Sequence, residues 1–261
     1  MRSLVNSAVL NIVISFFLIY VVSAQPIGLL GESIAEVTSV SKFENEPLLI
    51  KKCIDFDLTG KGNNPEWKKA EWNSLAKLDK EGKDYESKFK ILYSTTGIYV
   101  LFQGQDDKIT TKSYKDFENI FDGDVFEVFF HPNPLVIVYF EYEVNQLDKQ
   151  LILTISNSNG QGNGWVPWQP DKNASGIQKM VNVVGGNKDV NGAIQSWSAE
   201  IYFPFSALGL LPNVPPKSGT VWNANFCRLD YDSGNMIKYS WTPTIKVSFH
   251  ELNKFRSIKF E

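Results

Sequence analysis

The sequence predicts an all-β fold, an antiparallel β-sandwich with a few short helical turns. Short runs of β-branched and aromatic residues recur along the chain, with turn residues between them. Several runs alternate apolar and polar residues, as strands do when one face is buried. Hydrophobic residues make up 43% of the chain and aromatic residues 13%, which is enough to fill a sizeable core.

A targeting segment is predicted at the amino terminus. Arg2 precedes an apolar stretch, and the small residues Val22-Ser23-Ala24 end it, which is the pattern of a signal peptide cleaved after Ala24. We therefore expect three parts: a signal peptide over 1–24, an irregular lead-in over 25–47 and a β-domain over 48–261. Cleavage would make the protein secreted, periplasmic or attached to the cell surface, without a membrane segment.

Charge and cysteine content exclude several classes of protein. The formal net charge is −3 and no long run of one sign occurs, so neither nucleic acid nor an anionic membrane is an expected partner. Export would permit a disulfide between Cys53 and Cys227, and two buried thiols are equally compatible with the sequence. Neither cysteine has the spacing of a metal ligand.

The segment 121–131 is the centre of the predicted fold. The turn residues Asp122-Gly123 lead into the run 125–130, and Pro132 ends the strand. Because nearly every residue of this run is apolar, both faces of the strand are expected to be buried. Glu127 interrupts the run, and a buried carboxylate requires a cation, a hydrogen-bond donor or a ligand.

Alternation predicts which side chains lie near Glu127. On the returning strand Glu141, Glu143 and Asn145 share one face, so a hairpin would bring Glu127 close to Glu141 or Glu143. Arg228, on a late strand, is the expected counter-charge of Glu127. A buried structural network and a ligand-recognition site both remain open at this point.

Tryptophans mark two further candidate positions. A loop over 157–164, rich in Gly, Asn and Ser, presents Trp165 and Trp168. These rings either form a binding surface or fold back over a sheet edge. Trp241 begins the last segment of the chain.

Seven short segments occur in order between about residues 50 and 260: Gly97–Val100, Asp122–Phe129, Tyr142–Asn145, Trp197–Pro204, Trp222–Phe226, Tyr239–Pro243, and Phe249-His250 ahead of Phe255. In this order they resemble carbohydrate-binding modules of family 9, in the branch found in secreted bacterial glycan-utilisation proteins.

The resemblance implies a sandwich of two antiparallel sheets, of the immunoglobulin-like, jelly-roll-like or DOMON-like kind. It also implies a sugar site at one end and, in many members, structural calcium. Members hold the sugar between two aromatic side chains, and those positions fall on Phe121 and Phe249, where the best-known members carry Trp. The family places a basic residue on the returning strand, where this chain has Glu143.

The expected function is therefore that of a secreted, non-catalytic protein that binds a glycan or oligosaccharide in support of carbohydrate catabolism. A glycan-degrading enzyme is a further candidate partner. The expected ligand-binding residues are aromatic, acidic, amide or basic: Phe121, Glu127, Glu143, Asn145, Arg228, Trp241, Phe249, Trp165 and Trp168.

Two other functions are alternatives. In a glycoside hydrolase, Glu127 would act with Glu141 or Glu143 at a separation of ~5 Å, as in retaining enzymes, although no other catalytic signature accompanies them. In a haem or electron-transfer module, Met180 or Met236 would ligate iron, although no motif marks either. The two histidines, His131 and His250, are too few and too far apart in sequence to predict a metal site or a catalytic triad.

Overall fold

The structure, a computed structural model, describes residues 46–158, 161–167, 176–243, 245 and 248–261, with only the backbone of Ser158 and of 161–167. The predicted signal peptide, nearly all of the lead-in and Trp168 lie outside these residues. Within the described residues, no helix is long and apolar enough to cross a membrane.

The described residues form strands joined by turns and four short 3-10 helices. The 3-10 helices cover Pro65–Lys69, Ile120–Asp122, Phe205–Leu208 and Leu252–Lys254. The strands are β1 (Leu48–Lys52), β2 (Asn73–Ser74), β3 (Ala76–Lys77), β4 (Ser87–Tyr93), β5 (Gly97–Gln105), β6 (Val125–His131), β7 (Val138–Asn145), β8 (Gln150–Ser158), β9 (Gln161–Pro167), β10 (Gln178–Val184), β11 (Ser196–Pro204), β12 (Val221–Asp230), β13 (Ile237–Ser240) and β14 (Arg256–Phe260).

Most strands join one sheet in the order β10-β11-β5-β4-β1-β14-β12-β6-β7-β8-β9, with β2 and β13 beside it and β3 on β13. Strand β1 pairs in parallel with both neighbours, through Leu48 with Ile258 and Lys51 with Leu92. The predicted mainly β fold is confirmed, and the expectation of purely antiparallel sheets is wrong. Side-chain alternation does not distinguish parallel from antiparallel pairing, so the sequence could not reveal the direction of β1.

The sheet curls so that its two halves face each other across the core. Phe102 of β5 stacks on Phe126 of β6 with ring centroids 4.6 Å apart, and Phe89 of β4 stacks on Phe226 of β12 at 3.9 Å. These strands are not neighbours in the sheet, so their rings meet only because the sheet curls.

Strand β6 is buried on both faces, as its sequence predicts. All seven of its residues are buried. Phe126, Val128 and Phe130 belong to the main core. Val125 and Phe129 point the other way, into a second cluster that includes Phe249 and Phe255 of the last segment. Glu127 alternates with them and therefore faces this second cluster.

The two cysteines are buried free thiols. Cys53 packs beside Trp67, and Cys227 lies in the second cluster near β6. The sequence left open a disulfide or two buried thiols, and the structure shows two buried thiols.

Candidate functional site

A cavity of about 280 Å³ lies where the second cluster covers β6, β7 and β8. Its lining combines three carboxyls with aromatic, apolar and basic side chains: Glu127, Glu141, Glu143, Phe121, Phe249, Leu153, Ile155, Leu229, Met236, Lys238, Ser248 and His250. Four residues expected to bind ligand, Phe121, Glu127, Glu143 and Phe249, therefore meet in one place.

The hairpin of β6 and β7 brings the three glutamates together. Glu127 pairs directly with Glu143, and Phe129 pairs with Glu141. Opposed residues on one face of an antiparallel pair have Cβ atoms roughly 4.5–5.5 Å apart, and residues two apart on a strand share a face. Glu127, Glu141 and Glu143 are only 3%, 4% and 1% exposed. The predicted burial of Glu127 beside these glutamates is confirmed.

Burial and mutual repulsion keep these carboxyls protonated to unusually high pH. Desolvation, with the charge of Glu141 adding to it, raises the pKa of Glu127 well above its usual range. Burial likewise raises the pKa of Glu143, and that of Glu141 to about 8. The side chains of Glu141 and Glu143 hydrogen-bond each other, which requires a shared proton.

One oxygen of each carboxyl of this pair lacks a donor from any other described residue. Among the described residues, no donor lies within hydrogen-bonding distance of Glu141 Oε2 or Glu143 Oε2. His250 Nδ1 lies 3.9 Å from Glu141 Oε2 and is hydrogen-bonded at 2.7 Å to Tyr139 Oη. In the described part of the chain, these two buried oxygens therefore have no donor except the proton that the pair shares.

The expected ion pair between Glu127 and Arg228 is wrong. Cys227, not Arg228, lies opposite Glu127 on β12, so Arg228 points into the main core. Its Nη2 lies 2.6 Å from Asp230 Oδ2 and 3.1 Å from Asp106 Oδ2. Arg228 is fully buried there and does not line the cavity. The sequence identified a buried cation but assigned it to the wrong face of its strand.

The two aromatic residues reach the cavity from loops on either side. Phe121 belongs to the 3-10 helix before β6, and its carbonyl accepts a hydrogen bond from Tyr231 Oη at 2.8 Å. Phe249 is 6% exposed and packs edge-on against Phe129 at 6.4 Å. The juxtaposition that the resemblance implies is present, and the ligand-binding role of both rings stays a prediction.

Asn145 and Trp241 do not line the cavity, contrary to expectation. The amide of Asn145 donates to Thr111 Oγ1 at 3.3 Å, and its oxygen accepts from the backbone of the following turn, so it stabilises a loop. Trp241 packs edge-on against Phe89 and Phe226 in the main core. Both side chains are buried by contacts that sequence spacing does not reveal.

The predicted loop before Trp165 is largely a strand pair. Strand β8 extends to Ser158 and β9 begins at Gln161, with Trp165 opposite Ile155. Gly and Asn have low strand propensity, so their presence in this segment favoured the prediction of a loop over that of a strand. The side chain of Trp165 and the whole of Trp168 lie outside the described residues, so their expected role in ligand binding stays a prediction.

Sequence reasoning missed several lining residues. Lys238 and Met236 come from the β12–β13 hairpin, and Lys238 Nζ lies 3.7 Å from Asp79 Oδ1. His250 follows the predicted Phe249 directly, which was the one available signal. Met180, the other methionine of the haem alternative, is not among the lining residues.

A second acidic group fits the calcium that the resemblance implies. Asp106, Asp124 and Asp232, in loops next to β5, β6 and β12, each offer an oxygen within 4.8 Å of the others. Gln146 Nε2 donates to Asp106 and Asp124 at 3.1 and 2.9 Å, while its buried Oε1 has no partner among the described residues. Turning this amide would add a fourth oxygen, and Ca²⁺ prefers oxygen ligands.

The raised pKa values of two of these aspartates also favour a bound cation. Burial, opposed by nearby Arg228, raises the pKa of Asp106 to about 9. Burial and the charge of Asp230 raise the pKa of Asp124 to about 7. A bound Ca²⁺ would add to the positive charge of Arg228, favour the ionised carboxylates and cross-link the three loops. These residues therefore fit the ion.

Comparison with known proteins gives a family and a fold. The family model described as carbohydrate family 9 binding domain-like matches residues 58–258. A solved structure from Bacteroides uniformis, assigned as a carbohydrate-binding protein, has a TM-score of 0.67 at 17% identity, covering 83% of this chain and 99% of that one. Among curated proteins, none is significantly similar to the chain.

Two further structures are of a family 9 carbohydrate-binding module from Caldicellulosiruptor kristjanssonii, one with glucose and one with cellotriose. Each has a TM-score of 0.58 at 14% identity and covers 83% of this chain, with 96% and 94% of the module matched. At these identities the likeness shows the fold alone. The family model spans most of the chain and describes binding domains rather than hydrolases or haem proteins, so the chain belongs to the carbohydrate family 9 binding domain-like family and is a non-catalytic binding domain.

Proposed function

We propose that this protein binds a short glycan or the end of a longer one in the cavity between Phe121 and Phe249. The observation that carries the proposal is the lining itself, which puts two aromatic side chains beside the carboxyls of Glu127, Glu141 and Glu143. Sugars present apolar C–H faces and polar edges, and a binding site needs an apolar surface with a few placed polar groups to match them.

The size of the cavity limits the ligand. Its volume of about 280 Å³ lies near the lower end of ligand pockets, which begin at roughly 300 Å³. One or two sugar units are therefore expected inside it. Each aromatic contact contributes ~1 kcal/mol, so the dissociation constant is expected between micromolar and millimolar.

Titration calorimetry with glucose and cellotriose tests the site. The double variant Phe121→Ala, Phe249→Ala is expected to weaken binding by at least about tenfold, since two contacts of ~1 kcal/mol are lost. Tyr114→Ala is the matched control, because Tyr114 is 58% exposed and does not line the cavity. Undiminished binding by a folded double variant would place the site elsewhere, with the Trp165 and Trp168 segment as the next candidate.

The same proposal includes export and a role in carbohydrate catabolism. The support is the signal-peptide pattern that ends at Ala24, and a glycan-degrading enzyme is the partner such a role implies. Amino-terminal sequencing of exported protein is expected to begin at Gln25. A mature protein that begins at Met1 would contradict the proposed export.

A further inference from the structure

We propose that the sugar bound in this cavity carries a protonated amine, so that the ligand is an amino sugar or a glycan that contains one. The ammonium group would lie against Glu127, Glu141 and Glu143, and the ring against Phe121 and Phe249. This inference deepens the proposed function and rests on it.

The first support is the charge of the lining. Three glutamates face the cavity, and the basic residues among its described lining are Lys238 and His250. Lys238 forms an ion pair with Asp79. Burial lowers the pKa of His250, which keeps its ring neutral. In the part of the chain that the structure describes, the carboxyl cluster therefore has no dedicated counter-charge.

The second support is the supply of unused acceptors. Glu141 Oε2 and Glu143 Oε2 are buried, belong to residues that line the cavity, and have no donor from the described protein. An unsatisfied buried polar atom is costly, so a ligand that satisfies it gains affinity. An ammonium group has three donors and no acceptor, so it matches the oxygens of neighbouring carboxyls once a proton has left them.

The third support is the aromatic pair. A cation is attracted to the face of an aromatic ring, and the attraction strengthens when water is excluded. Phe121 and Phe249 line the same cavity as the carboxyls. Carboxyls and aromatic rings together favour an organic cation, whereas a neutral sugar would contact the rings and leave the carboxyls protonated.

A bare metal ion fits this cluster less well than the aspartate group. Among the described residues, Asp106, Asp124 and Asp232 are the ones whose ligand oxygens all lie within 4.8 Å of one another, and the three glutamates do not form such a group. A metal ion needs its ligand oxygens close around one centre, whereas the ammonium group of a sugar does not need oxygens from all three carboxyls. The glutamate cavity is therefore assigned to an organic cation.

Binding of an ammonium group should release a proton. The Glu141–Glu143 pair shares one, and a cation beside it favours the ionised carboxylates. The titratable groups that face the cluster are Cys227, Tyr139, Tyr231, Asp122, Lys238 and His250. Burial raises the pKa of Cys227, Tyr139 and Tyr231, so these three are neutral near pH 7 and do not supply this proton.

The test compares ligands on the wild-type protein, so it does not depend on a variant that folds. Glucosamine, N-acetylglucosamine and glucose share the ring and differ at one carbon, and only glucosamine carries the charge. Glucosamine is expected to bind at least about tenfold more tightly than the other two at pH 6.5, as charge-assisted hydrogen bonds provide. Its binding enthalpy should also depend on the buffer, because a proton is released.

Conservative variants assign the preference to the cluster. Glu141→Gln and Glu143→Gln are expected to bring the ratio of glucosamine to N-acetylglucosamine affinity close to one. Glu86→Gln is the matched control, since that side chain is 59% exposed and lies outside the cavity, and it should leave the ratio unchanged.

The outcomes separate this inference from the proposed function. If glucose and N-acetylglucosamine bind as tightly as glucosamine, the amine inference is overturned and the sugar site stands. If none of the three sugars, cellotriose or chitosan oligosaccharides binds, the proposed function fails as well. If methylamine binds as tightly as glucosamine, the cavity is an amine site and the role of the sugar ring is refuted.

Discussion

Replacing Glu141 by Gln tests whether the buried carboxyls oppose folding once they ionise. The substitution keeps the size and shape of the side chain and removes the charge. In the native protein Glu141 is 4% exposed and hydrogen-bonds the carboxyl of Glu143. In the variant, the amide of the introduced glutamine could donate a hydrogen bond to Glu143, so this contact need not be lost.

The expected effect depends on pH. The folded protein holds the proton of Glu141 up to about pH 8, whereas the unfolded chain releases it near the usual 4.5. Between these values the folded state binds more protons, so its stability falls as pH rises through that window. The shift corresponds to about 5 kcal/mol at most. An imperfectly bonded amide would cost about 1–3 kcal/mol, so a net gain of roughly 2–4 kcal/mol is expected at pH 9.

Urea denaturation of wild type and Glu141→Gln at pH 4.5 and pH 9 measures this gain. The difference in the free energy of unfolding should be near zero or unfavourable at pH 4.5 and favourable to the variant at pH 9. Other groups with raised pKa, such as Asp106 and Asp124, change both proteins alike and cancel in the difference. A difference that is the same at both pH values would refute the reasoning.

Three further predictions concern other parts of the fold. Arg228→Met should lower the free energy of unfolding, measured by urea denaturation, by about 3–5 kcal/mol, because it leaves buried carboxylates unpaired. Lys51→Met, which removes an exposed ion pair, should lower it by less than about 1 kcal/mol, and equal losses would contradict the assignment. Ca²⁺ should raise Tm and EDTA should lower it, and Asp232→Asn should remove most of this response; a Tm independent of Ca²⁺ would exclude the site. Cys53 and Cys227 should resist alkylation in the native protein and react in urea, as mass spectrometry would show, since both are buried thiols.

The sequence by itself determined the central strand and much of the site. A continuous apolar run predicted that β6 is buried on both faces, and alternation predicted that Glu141 and Glu143 share one face of the returning strand. The turn that follows β6 predicted a hairpin with Glu141 or Glu143 beside Glu127, and the structure pairs Glu127 with Glu143. These inferences succeeded because hairpin pairing and period-two alternation are local, and a short sequence contains all the information they need.

Tertiary structure decided everything that depends on which distant strands meet. The parallel pairing of β1, the ion pairs of Arg228 with Asp106 and Asp230, and the core position of Trp241 all join residues far apart in sequence. Arg228 was assigned to the wrong partner because its face depends on the register of β12 against β6, and a shift of one residue turns every side chain to the other face. Register between strands separated by about a hundred residues is set by packing of the whole core, which composition and spacing do not encode.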